Sequence, residues 1–198
     1  MSLYDFEHEK HAQGYKYICG VDEAGRGPLA GPVFAAAVIL PEDYEIDGVN
    51  DSKKLSEKKR EKLFDEIIEH ALAYSIKSCD NFTIDDINIL AATMQTMKNA
   101  VDSLTIKPDI VFVDGNRLPE RDIPEEYVIH GDAVSASIAA ASILAKVSRD
   151  RFMYEMDKKY PEYDFAKHKG YGTKLHYEKL REFGPCEIHR LTFLKKMH

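Results

Sequence analysis

Two hydrophobic rhythms alternate along this chain. Tyr17 to Asp22, Val33 to Leu40 and Asp109 to Asn116 are short, nearly continuous apolar runs rich in β-branched residues, and they read as buried strands. Ser56 to Ala73 instead repeats its apolar positions at helical spacing, with Leu63, Phe64, Ile67, Ile68 and Leu72 on one face, and Ala73 to Ser78 predicts a strand returning from that helix. Between the first two strands lie Gly25, Gly27, Pro28 and Gly31, a density of turn formers that predicts a core hairpin. Thr83-Ile-Asp-Asp86 has the form of a capping box with Asp in its last place, so a helical region is expected to open there and continue through Ala91, Met94, Met97 and Val101. A helical crossover between buried strands predicts parallel pairing, which would put Asp22 and Asp114 at C-terminal strand ends on one edge of the sheet. Tyr127 to Asp132 is again strand-like, and Ala133 to Lys146 is so rich in Ala and Ser that it predicts an internal helix packed closely on the sheet. Thr173 to Phe183 predicts a last helix, stopped by Gly184-Pro185.

A chain of 198 residues, 44% apolar and 31% charged, is expected to form one globular domain spanning 1–198. No run is long enough to cross a membrane as a helix, and Met1 to Glu9 has neither the basic start nor the apolar middle of a signal peptide, so a cytoplasmic protein is expected. Cys19, Cys79 and Cys186 are widely separated and lack metal-site spacing, which predicts reduced thiols without chemistry. The net charge of −7 speaks against a nucleic-acid partner until its distribution is considered: residues 146–198 hold 13 Lys and Arg against 8 Asp and Glu, and half of the eight histidines. An acidic body with a basic end suits a protein that holds cations in one place and a polyanion in another. Residues 150–198 are therefore expected to form a basic, helical, substrate-binding part.

The chemistry concentrates at the strand ends. Asp22-Glu23 is followed at once by Gly25-Arg26-Gly27, so anionic metal ligands adjoin a loop whose backbone can approach a phosphate and whose Arg26 can add a charge-assisted fork. Asp114 and Asp132 fall at a strand end and near a helix start; taken singly, Asp132 is as well explained by an N-cap. Four such carboxylates meeting in one place would repel unless Mg²⁺ or Mn²⁺ neutralised them. In Phe165 to Lys174, Tyr171 stands between Gly170 and Gly172, placed to stack on a sugar or base while Lys167, Lys169 and Lys174 meet phosphates.

Five words in fixed order, Asp22-Glu-Ala-Gly-Arg-Gly-Pro-Leu-Ala-Gly-Pro-Val33, Asn50-Asp-Ser-Lys-Lys-Leu-Ser56, Val113-Asp-Gly-Asn116, Gly131-Asp132 with Ile138 to Val147, and His168-Lys-Gly-Tyr-Gly-Thr173, closely resemble bacterial ribonuclease HII from about Tyr17 to Phe193. The resemblance implies a ribonuclease H-like α/β fold: a mixed five-stranded sheet flanked by helices, with a small helical C-terminal part. It implies hydrolysis, dependent on Mg²⁺ or Mn²⁺, of the RNA strand in RNA–DNA hybrids, and cleavage 5′ to single ribonucleotides embedded in duplex DNA, leaving 3′-hydroxyl and 5′-phosphate ends. Carried over by motif, Asp22, Glu23, Asp114 and Asp132 are the metal-holding catalytic set. Gly25, Arg26 and Gly27 sense the ribose 2′-OH and the scissile phosphate, Tyr171 stacks beneath the following deoxynucleotide, and Lys53 is a further phosphate contact. The expected mechanism is a two-metal, in-line attack by water. A monomer is expected, and a replication-clamp partner is left open. Asp164, where the family commonly has Gly, and the ending Arg190-Leu-Thr-Phe-Leu-Lys-Lys depart from the pattern. A hybrid-binding module without turnover and a general metal-dependent nuclease or phosphatase are the alternatives, disfavoured by the complete carboxylate set and by the Gly-Arg-Gly and Tyr171 words respectively.

Overall fold

The structure is a computed structural model that describes residues 2–50, 52, 55–115 and 123–195. In chain order its elements are α1 (Asp5–Ala12), β1 (Ile18–Ala24), β2 (Val33–Ile39), α2 (Glu57–His70), β3 (Ala73–Cys79), α3 (Asn81–Ile87), α4 (Ile89–Asp102), β4 (Ile110–Asp114), β5 (Glu125–Val128), α5 (Ala136–Lys159), α6 (Phe165–His168), α7 (Lys174–Phe183) and α8 (Leu191–Leu194). Short 3₁₀ turns cover Gly131–Ala133 and Pro161–Tyr163.

The five strands form one mixed sheet in the order β3-β2-β1-β4-β5. β1 and β2 make the expected antiparallel hairpin, β2 continues antiparallel to β3, and β1 pairs parallel with β4. Two separate apolar layers result. Ala36 and Val38 of β2 face Leu63, Phe64 and Ile67 of α2 and the alanines of α5, while Cys19 and Val21 of β1, with Ala35 and Ala37, face Met97 and Val101 of α4. Alternation along each strand is what feeds both layers, because successive side chains leave opposite faces.

Helix α5 is the internal helix that the small residues predicted, and it is longer, 24 residues, with Ala136 and Ser137 through Ala145 buried. Its approach is set by Gly20, whose Cα lies so close to the helix start that an added Cβ would meet Ser137 carbonyl carbon at 2.1 Å. Because α5 runs without a break through residue 150, the C-terminal part begins inside this helix.

Some local expectations need correction. Asp80, not Thr83, opens the helical region: its carboxylate accepts from the Thr83 N–H. The region is two helices, since Asn88 adopts φ 70 and its side chain caps α4 by accepting from the Leu90 and Ala91 N–H groups. Asp132 is not the N-cap of α5; Ser135 is, accepting from the Ile138 N–H. The strand-like run at Tyr127 yields to a turn after Val128. Unforeseen altogether was α1, whose polar sequence carries no apolar stripe.

Candidate active site

Register alone brings the first two carboxylates together. In the parallel ladder Val21 lies opposite Val113, so Asp22 and Asp114, each one residue further on, end adjacent central strands at the same level. Asp114 then reaches across the edge: its Oδ1 accepts the Gly131 N–H at 2.7 Å, which seats the 3₁₀ turn carrying Asp132. Asp22, Asp114 and Asp132 each offer a carboxylate oxygen, and the three oxygens lie within 4.8 Å of one another.

Asp22 and Asp132 are buried. Desolvation first, and then the charges of Glu23 and Asp114, push the Asp22 carboxyl well above the usual carboxylate range, whereas its bond from the Glu23 N–H and a contact with Ser142 favour the ionised form. Close, buried acids of one sign are what a hard divalent cation with oxygen ligands relieves, so the donor set fits Mg²⁺ or Mn²⁺. Glu23, next along the strand, leaves the opposite face of the sheet and sits outside this trio. It lines a groove with Arg26, Leu90, Met94, Met97, Asp114 and Gly115, and Arg26 Nη1 lies 3.4 Å from its Oε1.

The Gly-Arg-Gly loop and Tyr171 meet beside this cluster. Gly25 has φ +102, and a Cβ there would collide with the Arg149 side chain at 2.2 Å; a Cβ on Gly27 would rest 3.8 Å from the Tyr171 ring. Tyr171 is 44% exposed, and its inner side lies against the Arg149 guanidinium, 5.7 Å from the ring centre. Arg26 is half exposed and turned outward. Of the other predicted contacts, Lys53 lies outside the described residues. Lys169 does not point to solvent: its Nζ donates to the Ala166 carbonyl and sits 4.0 Å from the centre of the Tyr154 ring. Lys167 pairs with Asp164, and Lys174 extends into solvent near Glu178.

Sequence reasoning missed the residues that hold the loop. Arg190 is fully buried and donates to the carbonyls of Gly25 at 2.6 Å, Arg26 at 2.9 Å and Gly31 at 2.8 Å. Arg149, also buried, donates to the carbonyls of Pro32, Ala30 and Lys169. Burial, with Arg149 beside it, lowers the Arg190 pKa to about 9, so Arg190 stays charged at neutral pH beneath a loop suited to an anion, and burial lowers the Arg149 pKa as well. Arg149 gave no sequence signal, since it follows the small-residue run of α5 in the charged stretch Lys146 to Arg151.

Paired strand-end carboxylates, a glycine loop with its carbonyls tied inward, and an accessible tyrosine make a site for divalent cations and a nucleic-acid backbone, the equipment of a metal-dependent nuclease. Comparison with known proteins narrows the class. Residues 19–197 match the family model described as Ribonuclease HII, and the chain belongs to that family. It is 57% identical to the ribonuclease HII of Caldicellulosiruptor saccharolyticus over 99% of this chain and 96% of that protein. Among solved structures it resembles the ribonuclease H2 of Pyrococcus horikoshii, with TM-score 0.75 and 30% identity over 89% of this chain and 93% of that one. The ribonuclease HII solved in complex with PCNA from Archaeoglobus fulgidus gives TM-score 0.74 and 27% identity over 88% and 94%. The protein is therefore an endoribonuclease acting on RNA–DNA hybrids and dependent on a divalent metal. No described helix is long and apolar enough to cross a membrane.

Proposed function

We propose that this enzyme nicks duplex DNA on the 5′ side of a single embedded ribonucleotide, as well as cutting the RNA strand of hybrids, and leaves 3′-hydroxyl and 5′-phosphate ends. The observation that carries the reading is the convergence of three aspartate oxygens within 4.8 Å of one another beside the Gly25–Gly27 loop and Tyr171. Asp22, Asp114 and Asp132, with Glu23 at the margin, would hold two Mg²⁺ or Mn²⁺ ions. When bound, such ions lower the pKa of the attacking water and stabilise the leaving 3′ oxygen.

The chain's own residues supply selectivity. Arg190 draws the Gly25 and Arg26 carbonyls inward, which leaves the amide edge of the loop to read the ribose 2′-OH, the one group that separates RNA from DNA. Gly27 lets the backbone come close to the scissile phosphate, and Arg26 adds charge there. Tyr171, backed by Arg149, stacks on the sugar or base of the deoxynucleotide that follows. Residues 150–198 add basic contacts along the duplex. Lys158, Lys159, Lys167 and Lys179 are paired with neighbouring acids in the free protein, and exposed pairs of this kind are weak enough to exchange for phosphates.

The test is cleavage of a labelled duplex containing one ribonucleotide, with Mg²⁺ or Mn²⁺, by wild type and by Asp114→Asn. Nicking 5′ to the ribonucleotide, lost in the variant, is the expected result. Tight binding without nicking by the wild type would instead indicate a binding module, and equal cutting of all-DNA duplex would indicate a general nuclease.

A further inference from the structure

Behind Tyr171 lies a group of buried side chains that the catalytic reading does not use. His176, on α7, and His189, in the segment before α8, are 0% and 1% exposed, and their Nε2 atoms are 3.0 Å apart. His176 Nδ1 is 2.9 Å from the Tyr171 carbonyl, and His189 Nδ1 receives the Cys186 N–H at 2.9 Å. His168 stacks flat on His176, with centroids 4.3 Å apart and 16° between planes.

These contacts permit one self-consistent arrangement of protons. A carbonyl can only accept, so His176 carries its proton on Nδ1 and presents Nε2 as an acceptor. His189 must then donate from Nε2, which leaves its Nδ1 bare, and that is the nitrogen the Cys186 N–H needs. The Cys186 carbonyl, 3.3 Å from the same His189 Nδ1, is the longer and competing contact, and the Cys186 thiol at 3.2 Å is a second donor to the bare nitrogen, so the Tyr171 end decides the tautomers and the Cys186 end agrees with them. Burial lowers the pKa of both imidazoles to about 4, so the neutral forms this requires are those present at physiological pH.

Each end of this chain belongs to a different substrate-reading loop. Tyr171 accepts from His176 at one end. At the other, His189 forms a bridge with Ala30, and Arg190, the next residue, holds Gly25, Arg26 and Gly31. A backbone bond from the Leu29 N–H to the Gly170 carbonyl already ties the two loops.

We propose that His176 and His189 form a neutral imidazole relay in which His189 holds His176 in the tautomer whose Nδ1–H fixes the backbone of Tyr171 against the Gly25–Gly27 loop, so that ribonucleotide sensing and stacking of the next residue are held in register. His176 is a positioning residue, and the proposal rests on the reading of Tyr171 as the stacking residue.

The discriminating pair is His176→Asn and His176→Gln. An Asn amide nitrogen falls near Nδ1 and keeps the donor to Tyr171, whereas a Gln amide falls near Nε2 and leaves the Tyr171 carbonyl without it. On a duplex with one ribonucleotide, His176→Gln should raise KM about tenfold with kcat little changed, and His176→Asn should stay within about threefold of wild type. In a Tyr171→Ala background the Gln effect should vanish. A Gln penalty that persists there, or equal penalties for both variants, would overturn the relay. Amide hydrogen exchange at Tyr171 and Thr173, whose N–H groups bond to the His168 and Tyr171 carbonyls, gives a readout independent of substrate. Exchange faster in His176→Gln than in His176→Asn supports the relay, and no difference refutes it. If Tyr171→Ala itself leaves KM unchanged, the stacking role falls, and the exchange data still decide on the relay.

Discussion

Replacing Gly20 by Ala puts one methyl group at the contact between β1 and α5. The backbone of Gly20 is ordinary strand, so alanine adopts it without strain, and the whole cost is the contact. That methyl would lie 2.1 Å from the Ser137 carbonyl carbon, 2.2 Å from the Ile138 nitrogen and 2.5 Å from the Ser137 oxygen. All three are backbone atoms at the start of a 24-residue helix, so no rotamer change relieves them. Reaching an ordinary contact requires the helix start to retreat by more than about 1 Å, against a core packed to crystal-like density. Overpacking typically costs ~1–3 kcal/mol, and a clash with backbone on both sides belongs at the upper end, about 3 kcal/mol. Gly20 and Asp22 lie on the same face of β1, and Asp132 is three residues before the Ser135 cap, so the retreat separates the carboxylates it should bring together. A misplacement of that size can cost on the order of 100-fold in rate. Urea unfolding and metal-dependent cleavage of a hybrid test both effects. Gly27→Ala supplies the contrast: its nearest neighbour would be 3.8 Å away, so stability should hold while substrate handling falls. A Gly20→Ala protein with the wild-type midpoint and rate would refute this account of how α5 positions the site.

The carboxylate cluster should make metal a stabiliser. At about 100 times the Kd, Mg²⁺ or Mn²⁺ would contribute ~2.7 kcal/mol, so the melting temperature should climb with metal in wild type and respond much less in Asp114→Asn; a flat wild-type curve would count against a metal site. Acid should act through the buried histidines. Their folded pKa values, about 4, lie below the unfolded value of 6.5, so the unfolded state binds more protons between these limits. Stability is then complete above about pH 6.5 and lost as pH falls toward 4, by roughly 1–3 kcal/mol for the pair after allowance for solvent screening, measurable as a fall in urea midpoint that is smaller in His176→Asn. Glu7→Gln should cost roughly 2–4 kcal/mol, because Glu7 Oε1 accepts from Ser135 Oγ, Ser137 Oγ and the Ser137 N–H and Oε2 from the Ala136 N–H, a set of donors that an amide nitrogen cannot satisfy. An unchanged midpoint would show that the Glu7 carboxylate does not stabilise the α5 terminus.

Local pattern reached the clustered carboxylates for a physical reason. A charged residue ending an apolar run marks the point where a buried strand emerges, and parallel pairing through a helical crossover places two such points side by side. Asp22 and Asp114 were legible on that basis alone, whereas Asp132 rose above an N-cap only in combination with the other carboxylates. The cap itself was misread because Ser135 and Glu7 share the α5 terminus, and Glu7 lies 128 residues away from Ser135. Thr83 was favoured over Asp80 because Thr83-Ile-Asp-Asp86 ends in an acid, as a capping box does, and Asp80-Asn-Phe-Thr83 does not; the Asp80 carboxylate nevertheless caps alone by accepting the Thr83 N–H.

Arg190 shows why the supporting residues escape such reading. Nothing in its neighbourhood along the chain calls for a buried guanidinium, and its partners are carbonyls 159 to 165 residues earlier. Five N–H donors in a fixed fork can gather several carbonyls at once, a task Lys cannot perform with a single mobile ammonium. Gly25 and Gly27 give the loop freedom, and a loop that is free in the absence of substrate must be ordered at the moment of binding, at a cost in affinity. On the proposed reading of the loop, Arg149 and Arg190 would remove that cost in advance by fixing the carbonyl side and leaving the amide side to the substrate. Glycines proposed to meet the substrate are legible because they must lie at the contact. The arginines that make those glycines useful can come from any part of the chain that folds beneath them, and only the tertiary structure reveals which do.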